Sequence, residues 1–272
     1  MDEKLSPAQR QADILEYLSK SEHISIEQIV ERYGVSGVTA RNDLRALESA
    51  GKVRRTRGGA SSVSRTMVAL YPEERLGVNV EAKQGIARLA ASYVHDGDTI
   101  AVDSGTTTYH FVRNLVDKKD IMIVTNDISI ASFVVFSIPG AKITMTGGEL
   151  FANRLYFTGP IATQTMRNLY VDKAFLCADS YSSGRGFTTR HEETSELKRL
   201  FIAHANQNFM LMDAAKVGNT SFSKFADLVD FDCLIMDHDP QGTMSADIET
   251  LREVWSKVPR LLLAGQPGDR MA

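Results

Sequence analysis

Along the first part of the chain, apolar residues recur at helical spacing and are punctuated by residues that start and stop helices. Ser6-Pro7 sets an N-cap serine before a proline at the first helical position. Ile14, Leu15 and Leu18 follow on one face, so a helix is predicted over residues 7–20. Ser25 with Gln28 three residues later has the capping-box pattern, and Ile26, Ile29 and Val30 give a second helix its buried stripe until Gly34. Gly34-Val35-Ser36 reads as a tight turn with Ser36 as a new N-cap, and Val38, Leu44 and Leu47 carry a third helix to Gly51. Lys52 to Arg57 then mixes cations with small residues ahead of Gly58-Gly59, which predicts a β-hairpin.

Residues 60–66 are rich in Ser and small residues and have no apolar period. Beyond them the pattern changes. An amphipathic stretch with Ile86, Leu89, Ala90 and Tyr93 is followed by short apolar runs at residues 99–102, 121–124, 142–145, 173–177, 208–212 and 233–236, separated by helical stretches. Such alternation implies βαβ units around a mainly parallel sheet. The expected architecture is therefore α/β: a small N-terminal domain over residues 1–60, a linker at 61–75 and a larger domain over 76–272.

The composition, 43% hydrophobic and 24% charged over 272 residues, suits two domains with real cores. Residues 1–10 are polar and do not read as a signal peptide. No apolar run reaches the roughly 18 residues of a membrane span, so a cytoplasmic protein without membrane association is expected. Cys177 and Cys233 lie far apart inside apolar runs and read as buried free thiols, with no metal site or cofactor expected. The net charge of −3 hides an asymmetry: Arg32, Arg41, Arg45, Lys52, Arg54, Arg55, Arg57 and Arg65 face only Asp43 and Glu48 in their stretch.

That basic excess falls on a helix-turn-helix pattern, whose second helix enters the DNA major groove. The candidate DNA contacts on the third helix are Ser36, Thr39, Arg41, Asn42 and Arg45, residue types that hydrogen-bond bases and phosphates. Arg54 and Arg55 on the hairpin wing would meet the phosphate backbone, and Arg57 at its tip a minor groove.

In open α/β sheets, ligands bind beyond the carboxyl ends of the strands. After the first strand come Asp103, Ser104, Gly105, Thr106, Thr107 and Thr108 and then a helix, an arrangement of hydroxyls and backbone N–H groups that suits a phosphate. Asn126 follows the second strand, Gly147 and Gly148 the third, Asp179 the fourth, and Asp213 with Lys216 the fifth. Glu196 and Lys198 are placed on a helix after the loop 183–186. Judged alone, they read equally as a site or as an exposed charged face, and His191 as a contact or an exposed loop residue. Lysines would complement phosphate and carboxylates would hold sugar hydroxyls. There is no Gly-Lys-Ser/Thr and no G-x-G-x-x-G in the first turn, which argues against ATP and NAD.

With these residues in hand, the chain resembles the DeoR family of sugar-metabolism regulators over residues 7–237. The carrying motifs are Val35-Ser36 with Thr39-Ala40-Arg41-Asn42-Asp43-Leu44, then Arg57-Gly58-Gly59-Ala60, residues 103–108, Thr125-Asn126, Thr146-Gly147-Gly148, residues 172–175, Lys198 and residues 213–216. The resemblance implies a winged helix-turn-helix on double-stranded operator DNA and a sensor domain similar to ribose-5-phosphate isomerase. It further implies a phosphorylated sugar as effector and repression of a sugar operon; switching by a change in the spacing of the DNA-reading helices calls for a homo-oligomer, a dimer or tetramer. The family commonly has Ile-Arg-Arg where this chain has Ala40-Arg41-Asn42, and His where it has Arg57, so the operator sequence does not transfer. The alternative function is an isomerase-like enzyme with a DNA-binding appendage. The tail over 240–272, with Trp255 and Leu261-Leu262-Leu263, either packs on the sheet or forms an oligomer contact.

Overall fold

The computed structural model describes residues 5–21, 23–49, 53–56, 58–62, 78–152, 154–256 and 258–265. The chain divides into two compact units, Met1–Leu70 and Tyr71–Ala272. Of the expected linker, Ser61 and Ser62 lie in a strand, and the remainder falls outside the described residues.

Among its described residues the first unit holds three helices and a small sheet. Helix α1 (Pro7–Lys20) begins at a capping box in which Ser6 and Gln9 satisfy each other's backbone N–H groups, as Ser25 and Gln28 do for α2 (Ile26–Tyr33). Gly34, left-handed at φ 61°, ends α2 and turns the chain into α3 (Gly37–Ser49). Strands β1 (His23–Ser25), β2 (Val53–Thr56) and β3 (Gly59–Ser62) pair antiparallel in the order β1-β3-β2. A side chain at Gly59 would run into the carbonyl of Ile24, so glycine lets β3 close on β1. Ile14, Leu18, Ile24, Ile29, Leu44 and Leu47 fill the core beneath.

The second unit is built on seven strands that all pair in parallel: β4 (Thr99–Val102), β5 (Met122–Thr125), β6 (Lys142–Met145), β9 (Val171–Leu176), β12 (Ala205–Leu211), β14 (Cys233–Met236) and β15 (Arg260–Leu263). Successive residues of each strand feed opposite cores. Ile100, Val102, Phe175 and Ile235 pack beneath α4 (Val80–Ala91), α5 (Thr106–Val112) and α6 (Ile128–Ser137). Ala101, Ala174, Leu176 and Leu234 pack beneath α7 (Pro160–Met166), α8 (Glu192–Ala203) and α9 (Thr243–Arg252). Two antiparallel additions were not anticipated: the hairpin β7 (Glu149–Phe151) with β8 (Tyr156–Thr158), and the sheet of β10 (Ser180–Ser182), β11 (Gly186–Thr189) and β13 (Ser223–Ala226).

Three strands are displaced from the expected 121–124, 173–177 and 208–212, because pairing register sets their ends: Thr99 faces Met122, and Ala205 faces Val171. The tail packs on the sheet, with Leu261 to Leu263 in edge strand β15, while Trp255 is exposed. No described helix is long and apolar enough to cross a membrane.

The sheet order is β15-β14-β12-β9-β4-β5-β6. After β4 the chain builds outward through β5 and β6, then returns to lay β9 on the other flank of β4. The switch of direction falls between β4 and β9, which opens a crevice at their carboxyl ends.

His110, on α5, is buried in the first of these layers, and its Nε2 has no partner among the described residues. Burial, with Arg113 and Lys83 nearby, lowers its pKa from 6.5 to about 4. The unfolded chain therefore binds this proton at a higher pH than the folded one. Stability from His110 is complete above pH 6.5 and falls as pH drops towards 4, by about 3 kcal/mol in all. Urea unfolding at several pH values should show this loss, and His110→Gln should flatten that part of the profile.

Candidate functional site

Two faces of α3 have opposite chemistry. Ala40, Asp43, Leu44 and Leu47, spaced i, i+3, i+4, i+7, are buried. Val38, Arg41, Asn42 and Arg45 repeat the same spacing on the exposed side. Val38, expected in the core stripe, is 65% exposed, because Ala40 and Asp43 set the phase of the buried face. Ser36 caps the helix by accepting from the Thr39 N–H at 3.1 Å, and Thr39 itself is half-buried. Arg41 Nη1 donates to the Gly37 carbonyl at 3.2 Å, and Arg45 Nη1 to Asn42 Oδ1 at 3.1 Å. On the wing Arg55 is exposed; the Arg54 side chain and Arg57 lie outside the described residues.

Asp43 holds this helix in place. Its carboxylate, buried with Arg10, accepts from Arg10 Nε at 2.6 Å and from Gln11 Nε2 at 3.2 Å, tying α3 to α1. A carboxylate that deep is tolerated only because its charge and lone pairs are met.

In the second unit the crevice between β4 and β9 is a pocket with about 570 Å³ of space, its open mouth included. Ser104 to Thr107 line it from β4, and Cys177 to Asp179 from β9. Thr189, His191, Thr194 and Lys198 enter from β11 and α8, Arg154 and Tyr156 from the β7–β8 hairpin, and Lys216 from the turn after β12. Gly105 lies so close to Cys177 Sγ that any side chain there would overlap it.

The charges are arranged in depth. At the floor Lys198 pairs with Asp103 and donates to the Cys177 carbonyl at 3.0 Å. Burial alone would lower the Lys198 pKa, but Asp103, Cys177 and Asp179 outweigh it and raise it, so the cation persists. Burial pushes Asp179 up, yet Lys198, the Thr189 hydroxyl (2.9 Å), the Arg190 N–H (3.1 Å) and Lys216 bring it below the ordinary carboxylate range. Cys177 is pushed up to about 11 by burial and Asp103, so it is a thiol and not a nucleophile. Lys216 donates to the Ala178 carbonyl at 2.8 Å and stands 3.7 Å from Asp213. The buried Thr107 Oγ1 has no partner among the described residues.

Residues 10–66 match the model of the DeoR-like helix-turn-helix domain, and residues 78–238 that of the DeoR C terminal sensor domain. The chain belongs to the DeoR family. Its DeoR-type relatives include the HTH-type transcriptional repressor GlcR of Bacillus subtilis, 35% identical over 85% of this chain and 89% of that protein. The transcriptional repressor AccR of Agrobacterium fabrum is 31% identical over 91% and 95%. The HTH-type transcriptional regulator YulB of Bacillus subtilis is 30% identical over 94% and 98%. Ribose 5-phosphate isomerase A of Methanocaldococcus jannaschii aligns at 16% identity and a TM-score of 0.37, over 51% of this chain and 55% of that one. At that level the likeness carries no argument, and the α/β assignment stands on the sheet itself.

This DeoR-family chain is a DNA-binding regulator. Of the residues singled out as effector contacts, Ser104, Gly105, Thr106, Thr107, Asp179, Lys198 and Lys216 meet in the pocket. Asp103 lies beneath it on Lys198, and Thr108 turns its hydroxyl back to the Gly105 carbonyl at 3.0 Å. Asn126 is buried elsewhere, donating to the Phe157 carbonyl at 3.1 Å. Gly147 and Gly148 do not line the pocket. Gly148, at φ 107°, lets the chain pass beneath the Thr158 carbonyl and Ala162. Glu196 corrects the expectation: it is half exposed on the outer face of α8, 3.4 Å from Arg167. His191 stands at the N-cap of α8, separated from the 183–186 turn by β11, with its ring tilted against Phe151, centroids 5.1 Å apart. Arg154, Thr189 and Thr194 were missed, since the β7–β8 hairpin, β11 and α8 bring them to strand ends remote in sequence.

Removing the Asp43 carboxylate strands a buried Arg10. Asp43→Ala should cost the first unit about 3–5 kcal/mol. Hydrogen exchange of the full chain would show lost protection in α1 and α3 with the parallel sheet unchanged.

Proposed function

We propose that this regulator represses a sugar-metabolism operon and that a phosphorylated sugar, bound in the pocket between β4 and β9, releases it from operator DNA. The observation that carries the reading is the buried Thr107 hydroxyl, without a partner among the described residues, in a pocket entered by Arg154, Lys198 and Lys216. Among the lining side chains those three cations stand against one carboxylate, Asp179, with Asp103 and Asp213 set behind Lys198 and Lys216, so the pocket favours an anion. A phosphate would take the Thr107 hydroxyl and the ammonium of Lys216, while Asp179 at the rim accepts from sugar hydroxyls. The relatives GlcR and AccR are named as transcriptional repressors, which supports the sign of regulation.

Ser36, Thr39, Arg41, Asn42, Arg45, Arg54, Arg55 and Arg57 form the proposed DNA face. One such helix reads a single half-site, so a homo-oligomer supplies the second reading head. The effector acts by binding one arrangement of the two heads better than the other.

A thermal-shift screen of the full chain against phosphorylated sugars, their unphosphorylated parents and inorganic phosphate tests this. A ligand at about a hundred times its Kd should raise Tm by roughly 5–10 °C. Thr107→Val and Lys216→Met should lose the shift while keeping salt-dependent DNA binding. Equal shifts by parent sugars, or none by any phosphorylated one, would remove the proposal.

A further inference from the structure

The exposed stripe of α3 contains one apolar member. Val38 stands in line with Arg41, Asn42 and Arg45 at i+3, i+4 and i+7, and is 65% exposed. It is the second residue of the helix, in the turn that meets base edges when such a helix enters the major groove. A single exposed valine elsewhere needs no explanation. This one lies among the cations that bring the helix onto DNA.

Its polar neighbours are already engaged: Arg41 with the Gly37 carbonyl, Arg45 with Asn42, and Ser36 with Thr39. Docking must exchange those bonds for bonds to DNA, with little net gain. Val38 has no bond to break and gains by leaving water. The apolar feature that a base pair offers in the major groove is the 5-methyl group of thymine; the other edge groups are donors and acceptors. We propose that Val38 is a specificity-determining residue that reads a thymine through its methyl group. The polar members of the stripe set register on the flanking bases and phosphates.

Deleting only the methyl group tests this. The full chain is used to select duplexes from a random-sequence library, and each thymine of the enriched duplex is then replaced in turn by deoxyuridine. Wild type should bind about fourfold more weakly when one particular thymine per half-site loses its methyl, the worth of burying one such group. Val38→Ala, which favours the helix and leaves the core untouched, should bind the thymine duplex about fourfold more weakly and be indifferent to deoxyuridine at that position. Identical deoxyuridine profiles for wild type and Val38→Ala, or no sensitive thymine in either, overturn the inference. Failure to enrich any duplex overturns it together with the DNA-binding assignment.

Discussion

The ion pair between Lys198 and Asp103 joins three pieces of chain: the end of β4, the end of β9 and the helix α8. Both side chains are buried, where either charge alone would be prohibitively costly, so each is tolerated only in the presence of the other. Lys198 also donates to the Cys177 carbonyl, and Asp103 accepts from the Cys177 N–H, which fixes the mouth of the β4–β9 crevice from beneath. The lysine thereby keeps its charge under the pocket, and Asp103 is screened from whatever enters. The remaining cations, Arg154 and Lys216, approach from the sides on elements built around that floor.

The reading head follows a similar economy. Asp43 commits one face of α3 to α1, and the helical period then leaves the Val38, Arg41, Asn42 and Arg45 stripe facing away from the core. A buried carboxylate therefore sets which side chains of α3 face outward. Val38 was misplaced from the sequence because hydrophobicity weighs it with Leu44 and Leu47, whereas the actual phase depends on a small residue, Ala40, and a charged one.

In the larger unit, the rule that ligands meet strand ends pointed to the segments after β4 and β9, which do line one pocket, because the loops there are short and their residues adjacent in sequence. The same rule nominated Asn126, Gly147 and Gly148, which do not line the pocket; Asn126 Nδ2 donates to the Phe157 carbonyl, and Gly148 packs under the Thr158 carbonyl. Glu196 and Lys198 are two residues apart on one helix and so point to different sides, Lys198 inward and Glu196 to Arg167. From the sequence the two read together, as one site or one exposed face, and only the fold separates them.

Local chemistry settled what is local: both capping boxes, the left-handed Gly34, the glycine-closed wing, and strands whose apolar runs need cover on two faces. It also settled the basic bias of the first unit and the α/β alternation of the second. Only the tertiary structure decided the order in which strands pair, the return of β9 beside β4, and the arrival of Arg154, Thr189 and Thr194 at one crevice. Strand order is chosen by burial and pairing between segments far apart in the chain, and that energy leaves no periodic trace in any one of them.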